Sequence, residues 1–159
     1  MQAGGGNGDT HAGVRFPPPL IFLGLLLAGL AANDLLALNP AMPQWLRAAG
    51  YVIAATGLLS IAWALAQFRQ AGNNPEPWKP DTAFVAAGLY RITRNPMYLG
   101  MALAYLGLAL AMDSLGALLL WPVAVALIDR LVIMREERHL LRRFGPAYED
   151  YRTRVRRWI

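Results

Sequence analysis

The sequence predicts an all-α integral-membrane protein with about four transmembrane helices and a cytoplasmic C-terminal helical segment. Of its 159 residues, 56% are hydrophobic and only 16% are charged. The hydrophobic residues come in long blocks, whereas a soluble domain of this size would alternate them with polar residues. The basic residues are concentrated in one loop and in the tail, which is the charge pattern of a membrane protein.

The blocks divide the chain into a tail, four spans, a linker and a second tail. Residues 1–16 are Gly-rich and polar, and they predict a disordered N-terminal tail before a single domain, 17–159. A signal peptide is the alternative for the first span, with a cleavage point near Ala31. A membrane helix is favoured because Arg15 is the only fixed positive charge before it. The expected spans are about 20–38, 46–68, 97–112 and 115–134.

The fourth span predicts a helix that continues beyond its apolar part. The uninterrupted apolar stretch is 115–128, and at about 1.5 Å per residue it covers only about 21 Å of a hydrocarbon core of about 30 Å. The helix must therefore extend through Asp129 and Arg130, which places these two charges near the membrane boundary. The sequence Phe144-Gly145-Pro146 then ends the helix, because Gly suits a positive φ after a helix and Pro prevents continuation.

Loop charges predict the orientation. The linker 69–94 carries four basic residues, and nine arginines lie between Arg130 and Ile159, whereas the short loops carry almost none. The positive-inside rule places the linker, the tail 135–159 and both termini in the cytoplasm, as in a bacterial-type inner membrane. Three prolines within six residues forbid a regular helix in the linker, and its Trp78 and Lys79 suit an interfacial position.

Composition also limits the chemistry. The chain has no cysteine, so disulfides and Cys-ligated metals are excluded, and with only His11 and His139 no metal centre is expected. A basic tail that follows a membrane helix marks contact with anionic membrane lipids, and no nucleic-acid partner is expected.

Two polar clusters at the ends of the last apolar hairpin are the candidate site. Both clusters, 94–100 and 135–139, are expected at the same membrane face, where polar side chains are costly unless they are used. Helix capping explains Asn95 as the N-cap and Pro96 as the first helical residue, but it leaves Arg94 and Tyr98 unexplained. Gly100 fits either close helix packing or space for a cofactor.

The fourth helix carries a polar stripe. At 3.6 residues per turn, Asp129, Glu136, His139 and Arg143 share one face. For Arg143 a solvated face is the favoured interpretation, whereas Glu136 and Glu137 at the membrane edge are expected to be functional. The helical spacing of Tyr148 and Tyr151 predicts a short amphipathic helix that packs over the site or lies on the membrane.

At these segments the chain resembles the isoprenylcysteine carboxyl methyltransferase and phospholipid methyltransferase superfamily of integral-membrane enzymes. Many members have His where this chain has Asn95. Shorter matches occur at 68–72, 74–78 and 88–91. The main ones are Arg94-Asn95-Pro96-Met97-Tyr98-Leu99-Gly100, Arg135-Glu136-Glu137 and Phe144-Gly145-Pro146-Ala147-Tyr148.

The resemblance implies S-adenosylmethionine as the methyl donor, bound between the last two membrane helices and the C-terminal segment. Arg94 and Glu137 are the expected catalytic residues. A glutamate suits the donor's ammonium, an arginine its carboxylate and an aromatic ring its sulfonium. The expected cofactor-binding residues are Arg94, Pro96, Tyr98, Gly100, Glu136, Glu137, His139 and Tyr148.

The expected acceptor is lipophilic and enters from the bilayer. A carboxylate of the prenylcysteine type, methylated on oxygen, is the first expectation. The alternative is a phospholipid or other lipid amine, for which Glu137 would take the proton. Two functions other than methyl transfer stay open. One is a small four-helix transporter with Asp34 or Asp129 as its coupling carboxylate, and the other is a non-enzymatic assembly protein.

Overall fold

A computed structural model describes residues 17–38, 40–72 and 85–159, and these are helical without a β-strand, which confirms the all-α class. The predicted disordered tail 1–16 lies outside the described residues, as do Trp78, Lys79 and the rest of 73–84. The helices are α1 (Pro18–Leu35), α2 (Gln44–Gln70), α3 (Pro96–Ala111), α4 (Leu115–Ile128), a π-helical segment (Asp129–Ile133), α5 (Met134–Phe144) and α6 (Pro146–Arg154).

Three helices are long and apolar enough to cross a membrane: Pro18–Leu35, Gln44–Gln70 and the continuous Leu115–Phe144. The last of these has 30 residues, so the helix does continue past Asp129, as its short apolar part requires. Helix α3 has 16 residues and is about 24 Å long, and it completes a bundle of four antiparallel helices.

The pairing of α2 with α3 depends on small residues. A Cβ added to Gly57 would lie 2.5 Å from the Gly100 carbonyl oxygen, and one added to Gly100 would lie 2.7 Å from the Gly57 carbonyl oxygen. The two backbones therefore touch directly, as small residues allow in membrane helices. On the opposite face of α2, Leu58, Leu59 and Trp63 are exposed, as expected for side chains that face lipid.

Polar contacts join α4 to α1 and α3. The Asn33 Oδ1 atom of α1 accepts from the Leu115 N–H at 3.0 Å, at the start of α4. The Tyr105 hydroxyl donates to the Ala117 carbonyl at 3.0 Å, and the Trp121 Nε1 atom donates to the Ala102 carbonyl at 2.8 Å. These hydrogen bonds hold α4 against α1 and α3, and α4 then continues towards the end of the bundle where Asp129 lies.

The chain turns back on itself after α5. Gly145 has φ +52° and ends α5, and Pro146 begins α6, so the predicted stop is confirmed. Helix α6 packs against a short 3₁₀ helix, Gly88–Arg91, where the Tyr151 hydroxyl donates to the Tyr90 carbonyl at 2.6 Å. Helix α6 thus packs against the segment that leads into Arg94, and its placement relative to the membrane surface stays a prediction.

Candidate active site

Residues 155–159 run beside the start of α3 and form one wall of the candidate site. The Arg94 N–H donates to the Arg156 carbonyl at 3.0 Å. The Thr93 hydroxyl and the Asn95 side-chain amide both donate to the Arg157 carbonyl at 3.0 Å. The two segments are thus held together through the main chain of 156 and 157.

The predicted role of Asn95 as a side-chain cap is wrong. Asn95 does precede α3, and Pro96 is the first residue of the helix, but the Asn95 side chain makes no capping hydrogen bond. Its amide is committed to the Arg157 carbonyl instead. This tertiary bond fixes the orientation of the side-chain amide, and in this orientation its oxygen accepts no capping hydrogen bond from α3.

Glu137 accepts from two arginines. The Arg94 Nη2 atom lies 3.2 Å from Glu137 Oε1, and both side chains are only about a tenth exposed, at 10% and 8%. The Arg157 guanidinium contacts the same carboxylate twice, with Nη2 at 2.7 Å from Oε2 and Nε at 3.2 Å from Oε1. Both oxygens of Glu137 are therefore occupied by guanidinium N–H groups.

Asp129 extends this network towards the membrane. The Arg157 Nη1 atom lies 3.3 Å from Asp129 Oδ2, and the Trp158 Nε1 atom donates to Asp129 Oδ1 at 3.1 Å. Two arginines and two carboxylates thus alternate from Arg94 through Glu137 and Arg157 to Asp129. The hydrogen bond to Glu137, and then the charges of Glu137 and Asp129, raise the pKa of Arg157 against the opposing effect of burial, so it remains a cation.

Arg94 has donors left over. Its Nε and Nη1 atoms are buried and have no hydrogen-bond partner among the residues that the structure describes. A buried donor without a partner costs about 1–3 kcal/mol, more when the group is charged. An anionic group such as a carboxylate can accept a charge-assisted hydrogen bond from either of these N–H groups, which lie on different edges of the guanidinium. Arg94 is therefore the best candidate in this site for binding an anionic ligand.

Tyr98 and Glu136 connect α3 to α5. The Tyr98 hydroxyl donates to Glu136 Oε1 at 2.7 Å. This contact and the Arg94–Glu137 pair bring the two predicted clusters together at one end of the bundle. Pro96 is buried in the first turn of α3, next to them in sequence. Gly100 faces α2, where its packing role is visible, and its predicted role in cofactor binding stays a prediction.

Tyr148 and His139 are buried beside this network. Tyr148 is 2% exposed, and its ring centroid lies 5.9 Å from that of Tyr151. Burial first, and then the negative charge of Glu137, raise the pKa of Tyr148 to about 12, so its hydroxyl stays protonated at neutral pH. His139 is 7% exposed. Their assignment to the cofactor site stays a prediction.

A groove of about 600 Å³ lies on the membrane side of the network. One part of it is apolar and is formed by α4 residues from Trp121 to Ala126. The other part is charged and is formed by Arg94, Asp129, Arg130 and Arg157, together with Trp158. The groove therefore leads from the lipid-facing surface of α4 to the buried arginine.

The π-helical segment changes the predicted polar stripe. In an uninterrupted α-helix Asp129 and Glu136, seven residues apart, would share a face. A π turn adds about one residue to the turn, which rotates everything after it by about 100°. The structure accordingly places Glu137, eight residues on, in contact with the same guanidinium as Asp129. Arg143 is exposed near the Phe144 ring, as its solvated interpretation predicts.

Arg157 and Trp158 are site residues that sequence reasoning missed. Arg157 is one of eight arginines in the tail 135–159, and nothing in the composition of the tail distinguishes it. The available signal was Asp129, because a carboxylate near a membrane boundary requires a cation or donor as partner. That signal predicts the existence of a partner and leaves its position open. In the described residues no group of three His, Asp or Glu side chains is placed to bind a metal.

The fold and the site together define the class: an integral-membrane helical protein with a buried arginine–carboxylate network at one end of its bundle. Residues 45–147 match the phospholipid methyltransferase family, and the chain belongs to this family. It is therefore a membrane methyltransferase. No curated protein and no solved structure matches the chain.

Proposed function

We propose that this protein transfers a methyl group from S-adenosylmethionine to a lipophilic acceptor at the cytoplasmic face of the membrane. The observation that carries the proposal is the pair of buried Arg94 donors without a partner among the described residues. The amino-acid end of the donor carries a carboxylate, which can accept a charge-assisted hydrogen bond from one of these N–H groups. The donor-binding role of Arg94 was expected from the family resemblance, and the geometry supports it.

The ammonium of the donor needs a carboxylate, and Glu136 is the proposed one. Glu136 accepts a hydrogen bond from Tyr98, and it lies beside Glu137 in the first turn of α5, close to Arg94. Glu137 is the weaker choice, because two guanidinium groups already occupy both of its oxygens. For the same reason the proposal gives Glu137 no role as a general base; it holds Arg94 in place.

S-adenosylmethionine would supply an electrophilic methyl group for an in-line displacement, in which an acceptor lone pair bonds to the methyl carbon as the sulfur–methyl bond breaks. A lipid amine would react in its neutral form, after it has lost its proton to water at the membrane surface. For such a reaction the protein contributes mainly alignment, which is worth up to about 7–11 kcal/mol when the reacting atoms are well placed. Arg94 orients the donor by its carboxylate end, and the adjoining groove gives an acceptor a path from the bilayer to the same point. Trp158 and the apolar part of the groove keep water away from it.

The proposed acceptor is a phospholipid amine. Its head group combines a phosphate with an amine, and the groove offers both Arg130 and Asp129, next to an apolar part for an acyl chain. The name of the matched family supports this choice. The second candidate is the carboxylate acceptor, as in prenylcysteine O-methylation, because arginines outnumber carboxylates along the groove.

Titration calorimetry with S-adenosylhomocysteine tests the donor site in the detergent-solubilised protein. We expect the wild type to bind and Glu136→Gln to bind about tenfold more weakly, since a charge-assisted hydrogen bond is lost. Absence of binding to the wild type would contradict the methyltransferase proposal and would favour the transporter or the assembly protein. Binding by Glu136→Gln and Glu137→Gln at wild-type strength would contradict the proposed site alone.

The acceptor class is tested by the product. Membranes that contain the protein are incubated with donor labelled in the methyl group, and the labelled lipid is treated with base. An N-methylated lipid amine keeps its label on the amine, whereas a methyl ester releases labelled methanol. Release of methanol would replace the amine by the carboxylate as acceptor.

A further inference from the structure

Arg157 is attached to the site in two separable ways. Its main-chain carbonyl accepts from Thr93 and Asn95, which fixes residues 155–159 against the start of α3. Its side chain reaches away from this contact to the two carboxylates Asp129 and Glu137. The main-chain contacts do not involve the guanidinium, so a substitution of the side chain leaves them in place and tests the guanidinium separately.

The guanidinium of Arg157 spans two carboxylates that an ordinary α-helix would separate. Asp129 and Glu137 are eight residues apart, which in an α-helix turns them about 80° away from each other. The π-helical segment Asp129–Ile133 removes most of this difference by its extra residue. Short π segments are frequent at functional sites, and here the segment creates the place that Arg157 fills.

The contacts of Arg157 also decide which Arg94 donors stay available. Arg157 binds Glu137 side-on through Nε and Nη2, so Arg94 reaches this carboxylate with Nη2 alone. The Nε and Nη1 atoms of Arg94 are left over. Without Arg157, the strongest arrangement open to Glu137 is a bidentate pair with Arg94, which would use one of these leftover donors.

We propose that Arg157 is a positioning residue of the donor site. It occupies Glu137 and thereby keeps Arg94 from turning a second N–H group onto this carboxylate, so that this N–H group stays available to the carboxylate of the methyl donor. Asp129 holds the outer end of the same guanidinium, so the groove and the donor site share one ion-pair network. This inference rests on the proposed function, in which Arg94 binds that carboxylate.

The proposal predicts a loss of affinity that is selective for the carboxylate. The probes are S-adenosylhomocysteine and its analogue that lacks the carboxylate, titrated calorimetrically into the detergent-solubilised full chain. We expect Arg157→Ala to weaken S-adenosylhomocysteine about tenfold, the value of one charge-assisted hydrogen bond, and to change the analogue less than about twofold. Arg157→Lys should recover only part of the loss, because an ammonium cannot bind side-on.

Arg154→Ala is the matched control. It removes one arginine from the same tail, and its side chain bonds only to the nearby Asp150 carbonyl among the contacts that the structure gives. We expect it to bind both probes like the wild type. Asp129→Asn is the second variant if Arg157→Ala does not fold: it loosens the guanidinium without removing it, and we expect a loss of about threefold, again confined to the probe with the carboxylate.

The outcomes separate this inference from the proposed function. If the wild type binds neither probe, the proposed function fails and the role of Arg157 fails with it. If the wild type binds S-adenosylhomocysteine and Arg157→Ala weakens both probes equally, Arg157 is a structural tether and the inference is wrong. Unchanged binding of both probes by Arg157→Ala and Asp129→Asn also overturns it.

Discussion

The two ends of the helix bundle use polar residues in opposite ways. At the turn end, around Asp113 and Ser114, they serve the helices: Ser114 Oγ accepts from the Ala117 N–H at 3.1 Å, and Asn33 accepts from the Leu115 N–H. At the site end, around Arg94 and Glu137, the charged side chains contact one another across separate segments and leave buried donors unpaired within the described chain.

The difference concerns stability as well as chemistry. The Arg47–Asp113 pair at the turn end has an N–O distance of 3.4 Å and side chains that are 46% and 28% exposed, so solvent screens it. The Arg94–Glu137 pair is almost fully buried and has paid a desolvation cost that its partners must offset. Polar groups that only cap a helix are hydrogen-bonded and cost little, whereas a buried network with unpaired donors carries a desolvation cost that an anionic ligand would offset.

The largest expected effect separates these two ion pairs. Glu137→Gln leaves two guanidinium groups beside a neutral amide, and breaking a buried pair in this way costs about 3–5 kcal/mol. Asp113→Asn, the matched change at the turn end, should cost at most about 1 kcal/mol. Unfolding midpoints in detergent measure both. Equal losses would mean that the burial of the site-end pair has no energetic consequence.

The shared location of the two site clusters could be predicted from the sequence. Apolar blocks give the helices, and the short connection at Asp113 and Ser114 makes α3 and α4 antiparallel, so the start of α3 and the start of α5 must meet. The proximity of the two clusters follows from this arrangement, whereas the choice of Glu137 over Glu136 as the partner of Arg94 does not. Long apolar segments are predictable because their periodicity depends on many residues at once.

The alignment of Asp129 with Glu137 and the identity of their cation could not be predicted. The π-helical segment has the composition of an ordinary helix, and one extra residue in a turn leaves no local pattern. Arg157 reaches the site because the chain changes direction at Gly145 and again after α6. The spacing of hydrophobic residues does not predict where such changes of direction bring the next segment. The Asn95 side chain was misassigned for the same reason: its partner is 62 residues away.

The second-largest expected effect is that of Tyr98→Phe, which tests whether the hydrogen bond between α3 and α5 stabilises ligand binding or only the fold. Tyr98→Phe removes the hydroxyl that donates to Glu136, and a hydrogen bond to a charged group is worth about 1.5–3 kcal/mol. We expect S-adenosylhomocysteine affinity to fall about tenfold, because Glu136 loses its fixed orientation. Calorimetry measures the affinity and thermal unfolding the stability. A loss of stability without a loss of affinity would make this contact structural, like those at the turn end.

At the site end, alkaline pH should lower the free energy of unfolding by a smaller amount, through Tyr148. The pKa of Tyr148 is about 12 in the folded protein and near 10.0 when unfolded, so between these values the folded state holds one proton more. Stability contributed by the neutral hydroxyl is fully present below pH 10 and falls with rising pH by up to about 1.4 kcal/mol per pH unit. Tyr148→Phe should make this fall shallower. Burial also raises the pKa of Tyr151, so a slope remains. An unchanged slope in denaturant unfolding between pH 10 and 12 would contradict this account.

The smallest expected effect belongs to the turn end. Ser114→Ala removes the side-chain cap of α4, and loss of an N-cap costs about 1 kcal/mol. Because the cap serves only its own helix, affinity for S-adenosylhomocysteine should not change, and calorimetry and thermal unfolding measured on the same sample separate the two quantities. Since α4 continues without a break into the π segment and α5, a weakened donor affinity in this variant would show that the turn end controls the position of Glu137. The two ends would then be one coupled unit, and the contrast between them would hold for their contacts but not for their function.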